Sequence, residues 1–291
     1  MNKKKLKQKM ISYKNSPVSA LLALLVFLAT FLTFAVLIFL IGYLLVKGIP
    51  NLSADLFSPT YTSENVSLIP ALVNTVLMTV MALVIAVPLG IFSAIYLVEY
   101  APKGNKFVEV IRLTTETLQG IPSIVYGLFG LLFFVTTLKW GMSLLAGAFT
   151  MAIMILPLIM RTTEEALKSV PDTYREGSFG LGAGKLRTIF RIVLPSAIPG
   201  ILAGVILAIG RVVGETAALM YTSGTVAQIP ENVMGSGGTL ALHMYVLSSE
   251  GLHTDKAYAT AVVLLVLVVG INSLSSFVAK KLSKGNGNGE N

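Results

Sequence analysis

The sequence predicts an all-α integral membrane protein with six membrane-spanning helices. Three observations predict it. Apolar residues fill 54% of the 291 positions and charged residues only 12%, roughly half the charged fraction, about 25%, of a water-facing domain. With a mean hydropathy of +0.79, most of the surface must be solvated by lipid. The uncharged residues gather into runs of about 20, the length a helix needs to cross a bilayer. Once those runs are alternated across the membrane, the basic residues collect on one side.

Residues 1–17 form a basic tail carrying Lys3, Lys4, Lys5, Lys7, Lys9 and Lys14. The first run, Val18–Val46, exceeds the ~7–15-residue core of a signal peptide and has no early small-residue cleavage site, so it reads as a retained helix. With the external loop after it, it makes a unit over 18–65. The second run, Ser67–Val98, opens a core unit over 66–282. Within it follow Thr117–Leu138, Gly141–Met160, a run beginning near Ile192, and Ala257–Ala279. The fifth run differs from the others in holding Arg211 and Glu215. Residues 283–291, rich in Gly and Asn, read as a disordered tail.

Orientation follows from charge. With both termini in the cytoplasm, all of the 22 basic residues except Lys47, Lys139, Lys256 and Arg211 fall inside. The net charge of +8 is then the signature of cytoplasmic loops and does not point to nucleic acid. The segment 161–195 has charges of both signs, too polar for lipid and too long for a turn. Thr222 to Lys256 is external, and its Gly235-Ser236-Gly237-Gly238 cluster precedes a short interfacial helix at Thr239–Leu247. His243 and His253 lie on this external loop, where exposure accounts for both. They have no carboxylate cluster at ligand spacing, so no metal site is expected. No nucleophile–histidine set stands out, no catalytic residue is expected, and the absence of cysteine excludes disulfides and thiolate chemistry.

The segment 161–195 carries the most specific motif. Glu176, Gly182, Ile192, Leu194 and Pro195 fit the spacing Glu-x5-Gly-x9-Ile-x-Leu-Pro. The physical expectation is a short helix bearing Glu176, broken at Gly182, where glycine tolerates backbone angles that other residues resist, and a second helix running through Leu194-Pro195 into the membrane. The spacing resembles the cytoplasmic coupling loop of permease subunits of bacterial ABC importers, with Gly177 and Ser178 where two alanines are usual. Gly180-Leu181-Gly182-Ala183-Gly184-Lys185 imitates a phosphate-binding loop but has Phe179 and Leu186 where the motif needs Gly and Ser or Thr.

A wider resemblance covers roughly residues 66 to 280. Pro88-Leu89-Gly90-Ile91, Ala94 through Leu97 with Glu99-Tyr100, Gln119 through Gly127, Leu156-Pro157, Arg161 through Leu167 and Gly210-Arg211 with Gly214 through Ala218 resemble phosphate permeases in that order. Thr239 through His243 and Tyr245-Val246-Leu247 resemble the A-type subunit. The resemblance implies a type I ABC-importer permease fold in the bacterial or archaeal cytoplasmic membrane. It implies as partners a homologous C-type permease, two ATP-binding subunits and an extracytoplasmic phosphate-binding protein. ATP and Mg would sit on the ATPases, with no cofactor on this chain. Glu176, Gly177, Ser178, Gly182, Ile192, Leu194 and Pro195 would couple to the ATPases, and Ser123, Arg161 and Thr216 would join Arg211 and Glu215 in the substrate pathway.

Arg211 and Glu215 also stand out on physical grounds. Four residues apart, they share a helix face and can pair. Arg211 lies roughly 21 Å beyond the cytoplasmic loop, where an unpaired Arg costs about 2.5–3.5 kcal/mol. Such groups face polar interiors and mark pathways, or lock helices as structural pairs. The spacing of Gly200, Gly204, Gly210 and Gly214 reads as close helix packing. Sulfate, molybdate or phosphonate import remains open beside phosphate. A secondary transporter would need more intramembrane carboxylates than Glu215, and an intramembrane enzyme a catalytic set that is not here. The orientation is checked by a single introduced cysteine and an impermeant thiol reagent on intact cells: Ser236→Cys is expected to label and Ser169→Cys to be shielded. Labelling at 169 from outside reverses the topology.

Overall fold

The structure, a computed structural model, describes residues 17–102 and 104–286. Most of the basic tail and the last residues of the chain lie outside it. Every described regular element is helical. In chain order these are α1 (Pro17–Gly48), α2 (Ile69–Tyr100), α3 (Lys106–Gln119), α4 (Ser123–Thr137), α5 (Leu144–Lys168), α6 (Asp172–Gly180), α7 (Lys185–Val213), α8 (Ala217–Thr222), α9 (Leu240–Glu250) and α10 (Thr254–Asn286). Helix α10 runs past position 283, where the sequence reading starts a tail.

Five helices, α1, α2, α5, α7 and α10, are each long and apolar enough to cross a membrane. The third expected span is not a straight helix. Helices α3 and α4 meet at 102° across Gly120-Ile121-Pro122, so six spans result only when this bent pair counts as one. Pro122 has no N–H to continue a helix and disfavours helical angles at Ile121. Helix α3 turns its polar side toward α5: Arg112 pairs with Glu164 at 2.7 Å, and Arg161 lies 3.7 Å from Glu116. Phe107, Val110 and Leu113 face outward.

The centre of the bundle is α2 against α5. Ala82, Ala86, Gly90 and Ala94 recur every four residues on α2 and are buried. This small-residue stripe lets the two backbones approach; a Cβ on Gly90 would stand 2.7 Å from Ile159. Met78, Met151, Ile155 and Ile159 fill the space around it. Gly200 and Gly204 do the same for α7, against Ala166 and Thr162 of α5. Gly210 has open space around it and Gly214 meets only its own helix, so half of the expected glycine stripe packs and half does not. Helix α1 is exposed along most of its length and apolar on every side, as a lipid- or partner-facing span must be. It touches α10 at Gly48, where any Cβ would collide with the Tyr258 carbonyl.

At the end opposite the 161–195 loop, residues 222–256 fold into a packed cap. The Asn74 amide donates to Gln228 O at 2.9 Å and Gly238 O at 3.2 Å, and Leu240 N donates to Thr75 Oγ1 at 2.8 Å. Helix α9 is buried through Leu240, Ala241, Leu242, His243 and Leu247, which corrects the interfacial helix expected there. His243 is likewise 7% exposed, not a free loop residue. Its ring stands edge-on to Tyr61 and bonds to the Val66 backbone, while Nε2 finds no partner among the described residues.

Burial pushes the His243 imidazole below its ordinary 6.5, the Val66 hydrogen bond opposing. The folded state therefore favours the neutral ring, and the stability it contributes is present above pH 6.5 and lost as pH falls below it. Thermal unfolding at about pH 7.5 and about pH 5.5 is expected to show a loss of Tm on acidification that is smaller in His243→Leu. An equal loss in both clears His243 of the effect.

Candidate functional site

Two helix breaks stand side by side inside the bundle. One is the α3–α4 bend. The other lies between α7, which ends at Val213, and α8, which starts at Ala217. The short helices α4 and α8 run together because Gly127 and Gly130 lie where α8 passes: a Cβ on Gly127 would stand 2.7 Å from the Ala218 Cα, and one on Gly130 2.6 Å from Thr222 Cγ2.

Each break leaves backbone groups without their helical partners, and buried backbone groups must be satisfied. Tyr126 Oη donates to Leu118 O at 2.8 Å, closing the first bend from within. Gln119 Nε2 donates to Pro157 O at 3.1 Å and ties that bend to α5. At the second break, Glu215 Oε1 accepts from Ala218 N at 3.0 Å. A carboxylate there answers both the free N–H and the positive end of α8.

This geometry corrects the expected Arg211–Glu215 pair. The helix stops before Glu215, so the two residues do not share a helical face, and among the described residues no ion pair joins them. Glu215 is 9% exposed and occupied as a cap. Arg211, half-buried in the last turn of α7, makes no hydrogen bond or ion pair among the described residues. Ser123 precedes Tyr126 by three residues on α4 and so shares its side. Thr216 opens α8 and lines a cleft of about 570 Å³ with Ile124, Tyr221, Tyr245 and Tyr258. The structure thus gathers Ser123, Arg211, Glu215 and Thr216 around the breaks. Arg161 lies elsewhere, beside Thr162 at the level of Gly204, about 10 Å along α7 from Arg211. It is exposed and bonded to Glu165 at 3.1 Å.

The 161–195 segment folds as its spacing implies. Helix α6 bears Glu176, Gly177 and Ser178, and the chain turns off it at Gly182, with φ +80°. Gly182 N donates to Phe179 O at 2.9 Å and Ala183 N to Ser178 O at 3.1 Å, the paired bonds of a Schellman cap, which favours glycine at the left-handed position. Ser178 and Thr188 hydroxyls meet at 2.8 Å and lock α6 to α7. Ile192, Leu194 and Pro195 continue α7 toward the bundle. The residues that sequence reasoning missed are Arg175 and Glu99, 2.7 Å apart and partly buried. They lie 76 positions apart, and no periodicity links such a pair. A charged residue closing an uncharged run, as Glu99 does, was the available sign.

Residues 86–285 match the family of binding-protein-dependent transport system inner membrane components. Over 272 residues the chain is 34% identical to the probable ABC transporter permease protein YqgI of Bacillus subtilis, covering 86% of this chain and 92% of that one. It is 33% identical over 268 residues to the phosphate transport system permease protein PstA of Pasteurella multocida, covering 91% and 95%. With PstA of Mycobacterium leprae it shares 38% identity over 205 residues, covering 69% and 67%. Among solved structures, a bacterial ABC transporter involved in the import of the acidic polysaccharide alginate superposes with a TM-score of 0.66 at 16% identity, covering 94% of this chain and 99% of that one. The MetNI methionine ABC transporter gives 0.57 at 20%, covering 82% and 96%. At these identities the structural likeness shows the fold alone.

Gly182→Val forces a β-branched residue into the left-handed region and is expected to cost at least about 1–2 kcal/mol, read as a lowered Tm of the purified protein. Gly177→Ala, with open space around its position in a helix, is expected to be neutral or to gain up to about 1 kcal/mol. Equal Tm values for Gly182→Val and the parent contradict the cap.

Proposed function

This chain belongs to the family of binding-protein-dependent transport system inner membrane components, and from that membership we propose that it is one permease subunit of an ATP-driven importer of inorganic phosphate. The observation that carries the importer reading is the coupling loop: a capped helix–turn–helix with Glu176 on its first arm and its second arm continuous with a membrane span. Such an element seats on an ATPase and passes its closure to the bundle. Phosphate as the substrate rests on the PstA relatives and on the chemistry at the breaks. An anion leaving water needs donors in return, and a guanidinium suits phosphate oxygens.

Arg211 supplies those donors, with Ser123 and Thr216 as hydroxyls beside it. Glu215 would repel the anion, but its Oε1 is engaged by Ala218 N as the cap of α8. Arg161 stands at the loop end, where an anion leaving the breaks would next meet a cation. The partners are a homologous C-type permease that completes the pathway, two ATP-binding subunits and an extracytoplasmic phosphate-binding protein. The chain spans the cytoplasmic membrane with both termini inside. ATP and Mg belong to the ATPases: the N–H groups of Leu181, Gly182 and Ala183 already serve the cap of α6 rather than a phosphate.

Because Arg211 has no ion-pair partner to strand among the described residues, Arg211→Gln is expected to keep membrane abundance near the parent level and to lower phosphate uptake at least about tenfold, the loss of a charged hydrogen bond. Glu215→Gln retains an acceptor for Ala218 N and is expected to keep abundance as well. Uptake and abundance are measured together in cells lacking other phosphate importers. Parent-level uptake by Arg211→Gln takes Arg211 out of the pathway, and uptake of sulfate instead of phosphate replaces the substrate.

A further inference from the structure

The Arg175 guanidinium, one residue before Glu176, is 14% exposed and uses every donor it has. Nε and Nη2 both reach Glu99 Oε1, at 3.2 and 2.7 Å. Nη2 also donates to Leu167 O at 3.0 Å, and Nη1 to Val170 O at 2.8 Å and Asp172 Oδ1 at 3.1 Å. Five N–H groups are all that an arginine carries. Leu167 O belongs to the last turn of α5 and Val170 O lies two residues past it, where exposed carbonyls attract cations. Glu99, 8% exposed, lies in the wide final turn of α2, Tyr96–Tyr100, where Ala101 N bonds to Tyr96 O. The added residue of such a turn re-aims the side chains after it.

The residue after Glu99 adds a second tie. Lys185, which opens α7, sits 4.9 Å from the centre of the Tyr100 ring, within cation–π range. Thus the dipeptide Glu99-Tyr100 holds both arms of the loop, α6 through Arg175 and α7 through Lys185. Ser178 and Thr188 tie the two arms to each other. The loop is tied to α2 and α5 at this point, because a partly buried, fully bonded guanidinium loses several charge-assisted hydrogen bonds if it moves alone.

We infer that Arg175 and Glu99 are positioning residues that make the loop, α2 and the end of α5 move as one body, so that a displacement of the loop by an ATPase enters the bundle without loss. This deepens the importer reading and rests on it. Arginine is required here for its fork: lysine keeps the charge but cannot reach a carboxylate and two carbonyls in fixed directions.

The test uses the whole complex purified through this chain, with spin labels at Leu89→Cys on α2 and Thr173→Cys on α6, both exposed positions in a chain without native cysteine. Partner cysteines are replaced. In the parent, the distance between labels is expected to stay within about 2 Å between nucleotide-free and ATP-trapped states. In Glu99→Gln and Arg175→Lys it is expected to broaden or shift, and stimulation of ATP hydrolysis by the binding protein to fall roughly fivefold or more, with basal hydrolysis and complex yield retained. A parent distance that changes between states overturns the joint, whether or not the variants fold. So do variants with an unchanged distance and full stimulation. Failure of the importer reading shows differently, as parent hydrolysis that no binding protein stimulates, and that result removes the joint too because there is then no movement to transmit. The distance readout does not depend on which oxyanion is carried.

Discussion

A helix that breaks inside an apolar bundle must satisfy the backbone groups it frees, and this requirement governs the centre of the molecule. Straight spans meet it automatically. The two broken ones do so with side chains: the Tyr126 hydroxyl and Gln119 amide at the α3–α4 bend, and the Glu215 carboxylate at the start of α8. Each of these polar residues has a structural task before it has any other. Glu215 is the clearest case, since its acidity is directed to a free N–H and a helix dipole and not to the arginine four residues away.

What that arrangement leaves over is Arg211. A cation half-buried among apolar helices is costly when unpaired, and here no ion-pair partner is present among the described residues. The cost is tolerable only where water, a ligand or a second subunit reaches the guanidinium. The second break also gives α7 an end within the bundle, so a residue in its last turn can project toward the space beside α4. Glycine makes that space narrow. With side chains at 127 or 130, α4 and α8 would be forced apart and the site would lose its walls.

Much of this was legible in the sequence, and the parts that were not share a cause. Uncharged runs locate helices because lipid selects composition, and α1, α2, α5, α7 and α10 lie where those runs lie. Composition says nothing of direction, so Thr117–Leu138 reads as one span although Gly120 and Pro122 mark its bend. The loop motif was legible in detail because its logic is local: Gly182 needs φ +80°, and its neighbours supply the cap. The Arg211–Glu215 pairing failed because it assumed a helix continuing through Gly214. His243 and the Arg175–Glu99 pair were missed because burial in a cap and a contact across 76 positions are tertiary facts without a local period.

Helix α5 touches both the loop and the breaks and so relates one to the other. The Leu167 carbonyl in its last turn and the Val170 carbonyl just past it hold Arg175. Two turns or more back, Pro157 O holds Gln119 at the first bend. Further along, Thr150 meets Gly130 where α4 passes α8. Side chains packed this closely have few intermediate arrangements, so small shifts carry through them rather than dissipate. A loop that moves with α5 therefore displaces the anchor of the α3–α4 bend and the wall of α4 together. Arg211 rides on α7, which packs against α5 through Gly200 and Gly204, and it too is carried. The breaks and the loop stand at different depths, but α5 leaves no slack between them.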